Sequence, residues 1–211
     1  MTEPARLAVL LSGGGTTLQN ILDRIEAGTL DARVAVVGSS RRNAFGLERA
    51  RNAGVDTFVC ATKDFKGDFK AQSDAINKEL IDRDIDLVVL AGFMCLYHIP
   101  DCFHHRVMNI HPALIPAFCG KGLYGHFVHE AVVASGVKVT GCTVHFVDEH
   151  YDHGPIIVQR TCPVLDDDTP DTVAARVFQQ ECIAYPEAIQ LFAEKRLSIV
   201  GQWVRIAEKT T

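Results

Sequence analysis

Asn109 and His111 stand two residues apart in NIHPALIP (109–116), where an apolar run meets proline. On an extended backbone alternate side chains share a face, so the amide and the imidazole point to the same side. Pro112 biases His111 towards an extended backbone and ends the strand, which leaves the ring at the strand's edge. A carboxylate within reach would complete a proton-handling set, and Asp152 stands in HYDHGPI (150–156), in a turn just before the next apolar run. A carboxylate beside an imidazole fixes its tautomer and favours its charged form, which makes a proton donor. Amide, imidazole and carboxylate together suggest chemistry at a carbonyl to which the protein supplies no nucleophile. The alternative is a buried hydrogen-bonding group at a turn.

A second candidate is LLSGGGTTLQN (10–20), where three glycines separate a strand from a helix. Bare backbone N–H groups and a helix N-terminus together make an anion site, so a phosphomonoester is expected at Gly13, Gly14, Gly15, Thr16 and Thr17. The spacing is neither GxGxxG nor a P-loop and no lysine follows, so neither a dinucleotide nor a nucleoside triphosphate is supported. A tight turn that binds nothing is the competing reading. LAGFMCLY (90–97) ends another strand, where open α/β sheets take their ligands. Gly92 permits close approach there, and Phe93, Met94, Leu96 and Tyr97 are suited either to an apolar slot or to plain core.

Other chemistries have weaker support. Four of the nine histidines crowd into FHHR (103–106) and HYDH (150–153), yet there is no HExxH and no repeated Cys/His spacing, so no metal is expected. Ser12 lies outside any GxSxG elbow, and nothing places Cys119 at a helix N-terminus. Seven cysteines, an odd number with no CxxC, indicate reduced thiols. The opening MTEPARLAVLLSGGG has too short an apolar run for a signal peptide or a membrane span, so a soluble, cytoplasmic protein is expected. A net charge of −5 argues against nucleic acid and anionic membranes as partners.

The elements that must position these residues follow from periodicity. Buried parallel strands are expected at 6–11, 33–38, 55–60 and 87–91, with helices at 16–27, 44–53 and 71–84 between them. Further strands are expected at 106–110, 138–147 and 155–162, a short helix near 127–135 and a long one over 170–194. VKVTGCTVHFV (137–147) alternates polar and apolar residues, which predicts one wetter face, and LSIVGQWVRI (197–206) can add one or two edge strands. The fold class is α/β: a Rossmann-like mixed sheet of about seven strands, parallel in its N-terminal half, with helices on both faces. One domain over 1–211 is expected, with a phosphate-binding βα half (6–100) and a catalytic, ligand-binding half (101–195).

SGGGTTLQ, FGLERA, VVLAGFM, NIHPALIP, GCTVHFV and DHGPIIVQ, in this order over 6–195, resemble the phosphoribosylglycinamide formyltransferases, folate-dependent enzymes of purine synthesis. The resemblance implies the formyltransferase fold and transfer of a formyl group from the co-substrate 10-formyltetrahydrofolate to the amine of 5-phosphoribosylglycinamide. It implies that Gly13 to Thr17 hold the substrate phosphate and that Glu181, in FQQECIAYP, meets its sugar. Met94, Cys95, Leu96 and Tyr97 would enclose the pterin with Asp148, Glu149, His150, Tyr151 and Asp152, while Asn109 also faces the folate and Lys70 its glutamate tail. Cys95 replaces the arginine usual in the family, and Tyr97 a leucine. Asn109, His111 and Asp152 would be catalytic. Small-molecule substrates, no metal, and a monomer or homodimer complete the expectation. The loop AFCGKGLYGHFVHEAV (117–132) is longer than in many relatives and reads as a substrate flap or an ordinary surface loop, with His129 a weaker candidate contact. Length and the lack of a further domain set the chain apart from formyltetrahydrofolate hydrolases and methionyl-tRNA formyltransferases. A formyltransferase or hydrolase with another acceptor, or a non-enzymatic phospholigand sensor, are the rival readings.

Overall fold

The computed structural model describes residues 3–209. Its chain divides into two compact units, one ending at Met108 and one beginning at Asn109.

The first unit alternates β1 (Ala5–Leu11), α1 (Thr16–Glu26), β2 (Ala32–Ser39), α2 (Phe45–Asn52), β3 (Asp56–Val59), α3 (Phe69–Ile81) and β4 (Leu87–Leu90). Its strands lie in the order β3-β2-β1-β4, and every pairing among them is parallel. Crossover helices cover such a sheet, so its strands are apolar without alternation. Accordingly β4 is buried at all four positions and β1 at all but Arg6. Arg6 escapes by reaching the carbonyls of Asp84 and Arg83 at 2.9 and 2.7 Å. The α3 helix starts at Phe69, ahead of the expected 71, because Asp68 caps it by accepting from the Ala71 N–H at 3.0 Å. It stops at Ile81 instead of 84 because Asp84 turns left-handed, with φ of 49°.

The second unit holds β5 (Val107–His111, which carries the chain across the division), α4 (His126–Ser135), β6 (Val139–Phe146), β7 (Ile156–Pro163), α5 (Pro170–Ala193), β8 (Leu197–Val200) and β9 (Trp203–Ile206). The order is β5-β6-β7-β9-β8, with β6–β7 and β8–β9 antiparallel and one parallel pairing, Ile156 with Trp203. Among the described residues the strands therefore number nine, not about seven. The two beyond the expected seven form the hairpin of LSIVGQWVRI, which Gly201 closes with a φ of 61°. Such short edge strands carry little periodicity, and the two found here are the most that LSIVGQWVRI was expected to add.

The wetter face expected of β6 is absent, since its residues are buried from Thr140 to Phe146. Of its polar residues Thr143 and His145 are instead used internally, while the Thr140 hydroxyl has no hydrogen-bond partner among the described residues; a Cβ at Gly141 would come within 1.9 Å of the Arg160 carbonyl oxygen. The α5 helix opens with Pro170 after a capping box between Thr169 and Thr172, and buries Val173, Val177, Ala184 and Ile189. Among the described residues no helix is long and apolar enough to cross a membrane.

Candidate active site

In the first unit the β1–α1 turn has the form of an anion nest. Gly15 is the left-handed residue at the start of α1, with φ of 71°, and no side chain caps the helix. The first-turn N–H groups, with the positive end of the helix dipole, are thus left for a ligand. A Cβ on Gly15 would come within 2.5 Å of the Gly46 Cα, so two glycines must meet back to back for α2 to approach. The loop is tied further by the Gly46 N–H to the Gly13 carbonyl at 3.0 Å and by Arg49 Nε to the Gly14 carbonyl at 2.9 Å. These contacts explain why FGLERA accompanies SGGG: Gly46 and Arg49 hold the turn in shape.

Ser12 is not a nucleophile in waiting. Its hydroxyl is buried, lies 2.6 Å from the Ser40 hydroxyl and accepts the Met94 N–H at 2.8 Å. Of the 94–97 stretch, Met94 is exposed, whereas Cys95 and Tyr97 are buried. The Tyr97 hydroxyl is spent on Asn77 Oδ1, and the Cys95 thiol lies 3.2 Å from Thr62 Oγ1. Tyr97 is therefore core, Leu96 is half-buried and Met94 is exposed. Lys70 is exposed and engaged by Asp74 one turn along its own helix, at 2.8 and 2.9 Å.

In the second unit β5 delivers Asn109 and His111 to one carboxylate. Asn109 Nδ2 lies 3.4 Å from Asp152 Oδ1, and His111 Nδ1 lies 3.5 Å from Asp152 Oδ2. Asp152 adopts φ of 52°, which aspartate tolerates, and its Oδ2 also accepts the Gly120 N–H at 3.0 Å. The other imidazole nitrogen, Nε2, lies 2.8 Å from the Phe118 carbonyl oxygen. Both ring nitrogens thus face oxygens that only accept, an arrangement fully satisfied by a doubly protonated ring. Phe118 has φ of 51°, a costly conformation for a bulky residue, and it aims that carbonyl at the ring.

Two supporting residues had no role in the sequence reading. His145 is buried on β6; Nδ1 lies 2.8 Å from the Phe146 carbonyl and Nε2 3.2 Å from Asn109 Nδ2. Burial lowers its pKa, which keeps the ring neutral, with Nδ1 donating and Nε2 accepting. That tautomer orients the Asn109 amide nitrogen towards His145 and Asp152. Thr143, also buried, donates to the Ala113 carbonyl at 2.7 Å and accepts the Ile115 N–H at 3.1 Å, holding the chain just past His111. Alternation along GCTVHFV puts Thr143 and His145 on one face, a signal that was present but pointed equally to a wet surface.

Cys119 donates to the Pro116 carbonyl, and burial together with the Asp152 charge raises its pKa, so it is no thiolate. All seven cysteines are free; burial pushes Cys60 up to about 11 and Cys142 up to about 12. His129 is buried with Nδ1 unpartnered among the described residues, and burial lowers its pKa.

Glu181, on α5, is only partly exposed, and desolvation pushes its carboxyl up from 4.5 to about 7. A raised carboxyl pKa means that the folded state holds its proton more tightly than the unfolded state. Its contribution to stability is thus complete below about 4.5 and is lost as pH rises towards about 7. Urea melts of Glu181→Gln and the parent between pH 4 and 8 should diverge in that window. The variant should gain on the parent at the alkaline end, by an upper bound of about 3 kcal/mol. A difference independent of pH would contradict a desolvated carboxyl.

The fold is α/β, and the second unit sets an amide, an imidazole and a carboxylate together. The chain belongs to the formyl transferase family, whose model matches residues 5–189. It is 39% identical over 198 residues to the chloroplastic phosphoribosylglycinamide formyltransferase of Vigna unguiculata, covering 91% of this chain and 62% of that protein. With the phosphoribosylglycinamide formyltransferase of Haemophilus influenzae it shares 36% identity over 196 residues, 92% of this chain and 90% of the relative. The crystal structure of glycinamide ribonucleotide transformylase 1 from Symbiobacterium toebii superposes with a TM-score of 0.91 at 45% identity, covering 99% of this chain and 96% of that one.

Proposed function

We propose that this chain transfers the formyl group of 10-formyltetrahydrofolate to the amine of 5-phosphoribosylglycinamide in purine (IMP) biosynthesis. The observation that carries the reading is the convergence of Asn109 and His111 on Asp152, at 3.4 and 3.5 Å, inside a formyl transferase chain. In this reading Gly13, Gly14, Gly15, Thr16 and Thr17 take the substrate phosphate and Glu181 its sugar. Met94 and the 148–152 loop flank the folate.

The uncharged amine attacks the formyl carbon, its lone pair forming the new C–N bond while the carbonyl π pair moves onto oxygen. His111 supplies a charged N–H to that oxyanion and Asn109 an amide N–H. Of the two Asn109 N–H groups, the one at 3.4 Å from Asp152 is the more weakly held and the easier for a stronger acceptor to take. The oxyanion likewise competes with the Phe118 carbonyl for the His111 Nε2 proton, so the 117–125 segment yields as substrate enters. The attacking nitrogen then loses its proton and N10 of the folate gains one, with Asp152 steadying the imidazolium during the exchange. The C–N10 bond breaks, releasing tetrahydrofolate and the formylated amine. No covalent enzyme intermediate is needed.

Incubating the protein with both substrates should yield tetrahydrofolate and formylated product in equal amounts. Omitting the ribotide should abolish tetrahydrofolate release. Release at an undiminished rate without the amine would assign the protein to hydrolysis, and ribotide binding without turnover would make it a sensor.

A further inference from the structure

The turn between β6 and β7, whose 148–152 stretch flanks the folate in the proposed function, also carries a metal-ligating donor set that has no part in the chemical step. Asp148, His150 and His153 each offer one ligand atom within 4.8 Å of the other two. We propose that this triad binds a divalent transition cation of the zinc and nickel class. The inference is independent of the formyl-transfer reading.

The donors decide the class of ion. Two imidazole nitrogens and one carboxylate oxygen suit zinc, nickel or copper, whereas magnesium and calcium take oxygen ligands. His153 Nδ1 is 2.5 Å from Asp148 Oδ2, His150 Nδ1 is 3.8 Å from Asp148 Oδ1, and the two rings meet edge to face at 5.3 Å. Ligands bound at ~2.0–2.2 Å lie roughly 3–3.5 Å from each other, so side-chain rotation alone closes the set. Three protein ligands leave the remaining positions to water.

The scaffold around the triad is already fixed. The Phe146 N–H bonds the Pro155 carbonyl at 2.9 Å, and a Cβ at Gly154 would fall 1.9 Å from the Phe146 carbonyl oxygen, so the base of the turn is clamped. Asp148 Oδ1 also accepts the His150 N–H at 2.8 Å, which draws the first two ligands together. The three ligands fall within six residues, and the entropy of closing so short a loop has largely been met by this turn. His150 and His153 are exposed, so the cation has access.

On binding, the proton shared between His153 Nδ1 and Asp148 leaves that nitrogen, moving to Nε2 of a neutral ring or into solvent from a charged one. Affinity therefore falls on acidification. Asp152 sits between His150 and His153 in sequence, so ligation braces the backbone that presents its carboxylate to His111. HYDH showed the histidines, but a D-x-H-x-x-H turn matches no repeated zinc spacing, so only folding reveals the third ligand.

Calorimetric titration of the full chain with zinc chloride and with nickel chloride should show one site per chain, weakened at lower pH and not replaced by magnesium. Hydrogen exchange should slow in 148–154 on saturation. His150→Ala/His153→Ala should weaken binding by on the order of 10–100-fold or more and abolish that protection. His104→Gln/His105→Gln, at the other adjacent pair of rings, 3.8 Å apart, should leave both unchanged. The proposal fails if the parent chain shows no stoichiometric binding, if the first double variant binds as the parent does, or if protection appears away from this turn.

Discussion

His111→Ala is expected to lower kcat by on the order of 10²–10³, the usual cost of removing one oxyanion donor, while the KM values move far less. The split follows from the time at which the contact matters. The ground-state formyl oxygen gains little from a charged donor, whereas the oxyanion gains much, so the loss falls on the transition state. Folding should survive at a cost of about 1–3 kcal/mol, because the Phe118 carbonyl and the Asp152 carboxylate both lose a partner in a buried place. His111→Gln, which retains an uncharged NH₂ donor and much of the volume, should fold better and turn over only slightly faster. Steady-state kinetics on both variants, beside their thermal midpoints, check this. Near-parental turnover in either would remove His111 from the chemistry.

The parallel half of the fold was legible because its central strands are buried on both faces, although of its helices only α3 starts at a side-chain cap. β1 and β4 have hardly a polar residue to misdirect the reading, and α5 announces itself through Thr169, Pro170 and Thr172. The second half was less legible. β6 alternates as an amphipathic strand does, yet Thr143 and His145 are polar because they hold the turn after His111 and the Asn109 amide, not because they meet water. A one-dimensional pattern cannot distinguish a polar residue that faces solvent from one whose partner lies thirty residues away. The meeting of Asn109 and His111 with Asp152 was anticipated because strand alternation and a strand-end turn constrain them. The Phe118 carbonyl and the Gly120 N–H were beyond reach, because main-chain groups in a glycine-rich loop leave no residue-type signal. Tyr97 carried the opposite difficulty: its sequence suits a slot as well as a core, and the buried Asn77 that takes its hydroxyl lies twenty residues upstream.

Asp152→Asn tests the other half of the proton-handling set, and its expected cost, on the order of 10² or more in kcat, follows from counting acceptors. The carboxylate receives the Asn109 amide on Oδ1 and the Gly120 N–H on Oδ2, with the His111 ring 3.5 Å from Oδ2. Asparagine offers one oxygen and one NH₂ in the same space. If its oxygen faces Gly120 and His111, its NH₂ confronts that of Asn109; if it turns over, the NH₂ confronts the Gly120 N–H and the imidazole. Either way one oxyanion donor is displaced, and the charge that steadies the imidazolium is gone. The height and the acid limb of the pH–rate profile should both change. A profile with both intact would mean that Asp152 only holds the loop. In the proposed mechanism His111 and Asp152 act as one unit, so their effects should not add: the double variant His111→Ala/Asp152→Asn should be about as slow as the slower single one. Multiplicative losses would instead assign the carboxylate a task separate from the imidazole, such as receiving the proton of the attacking amine directly.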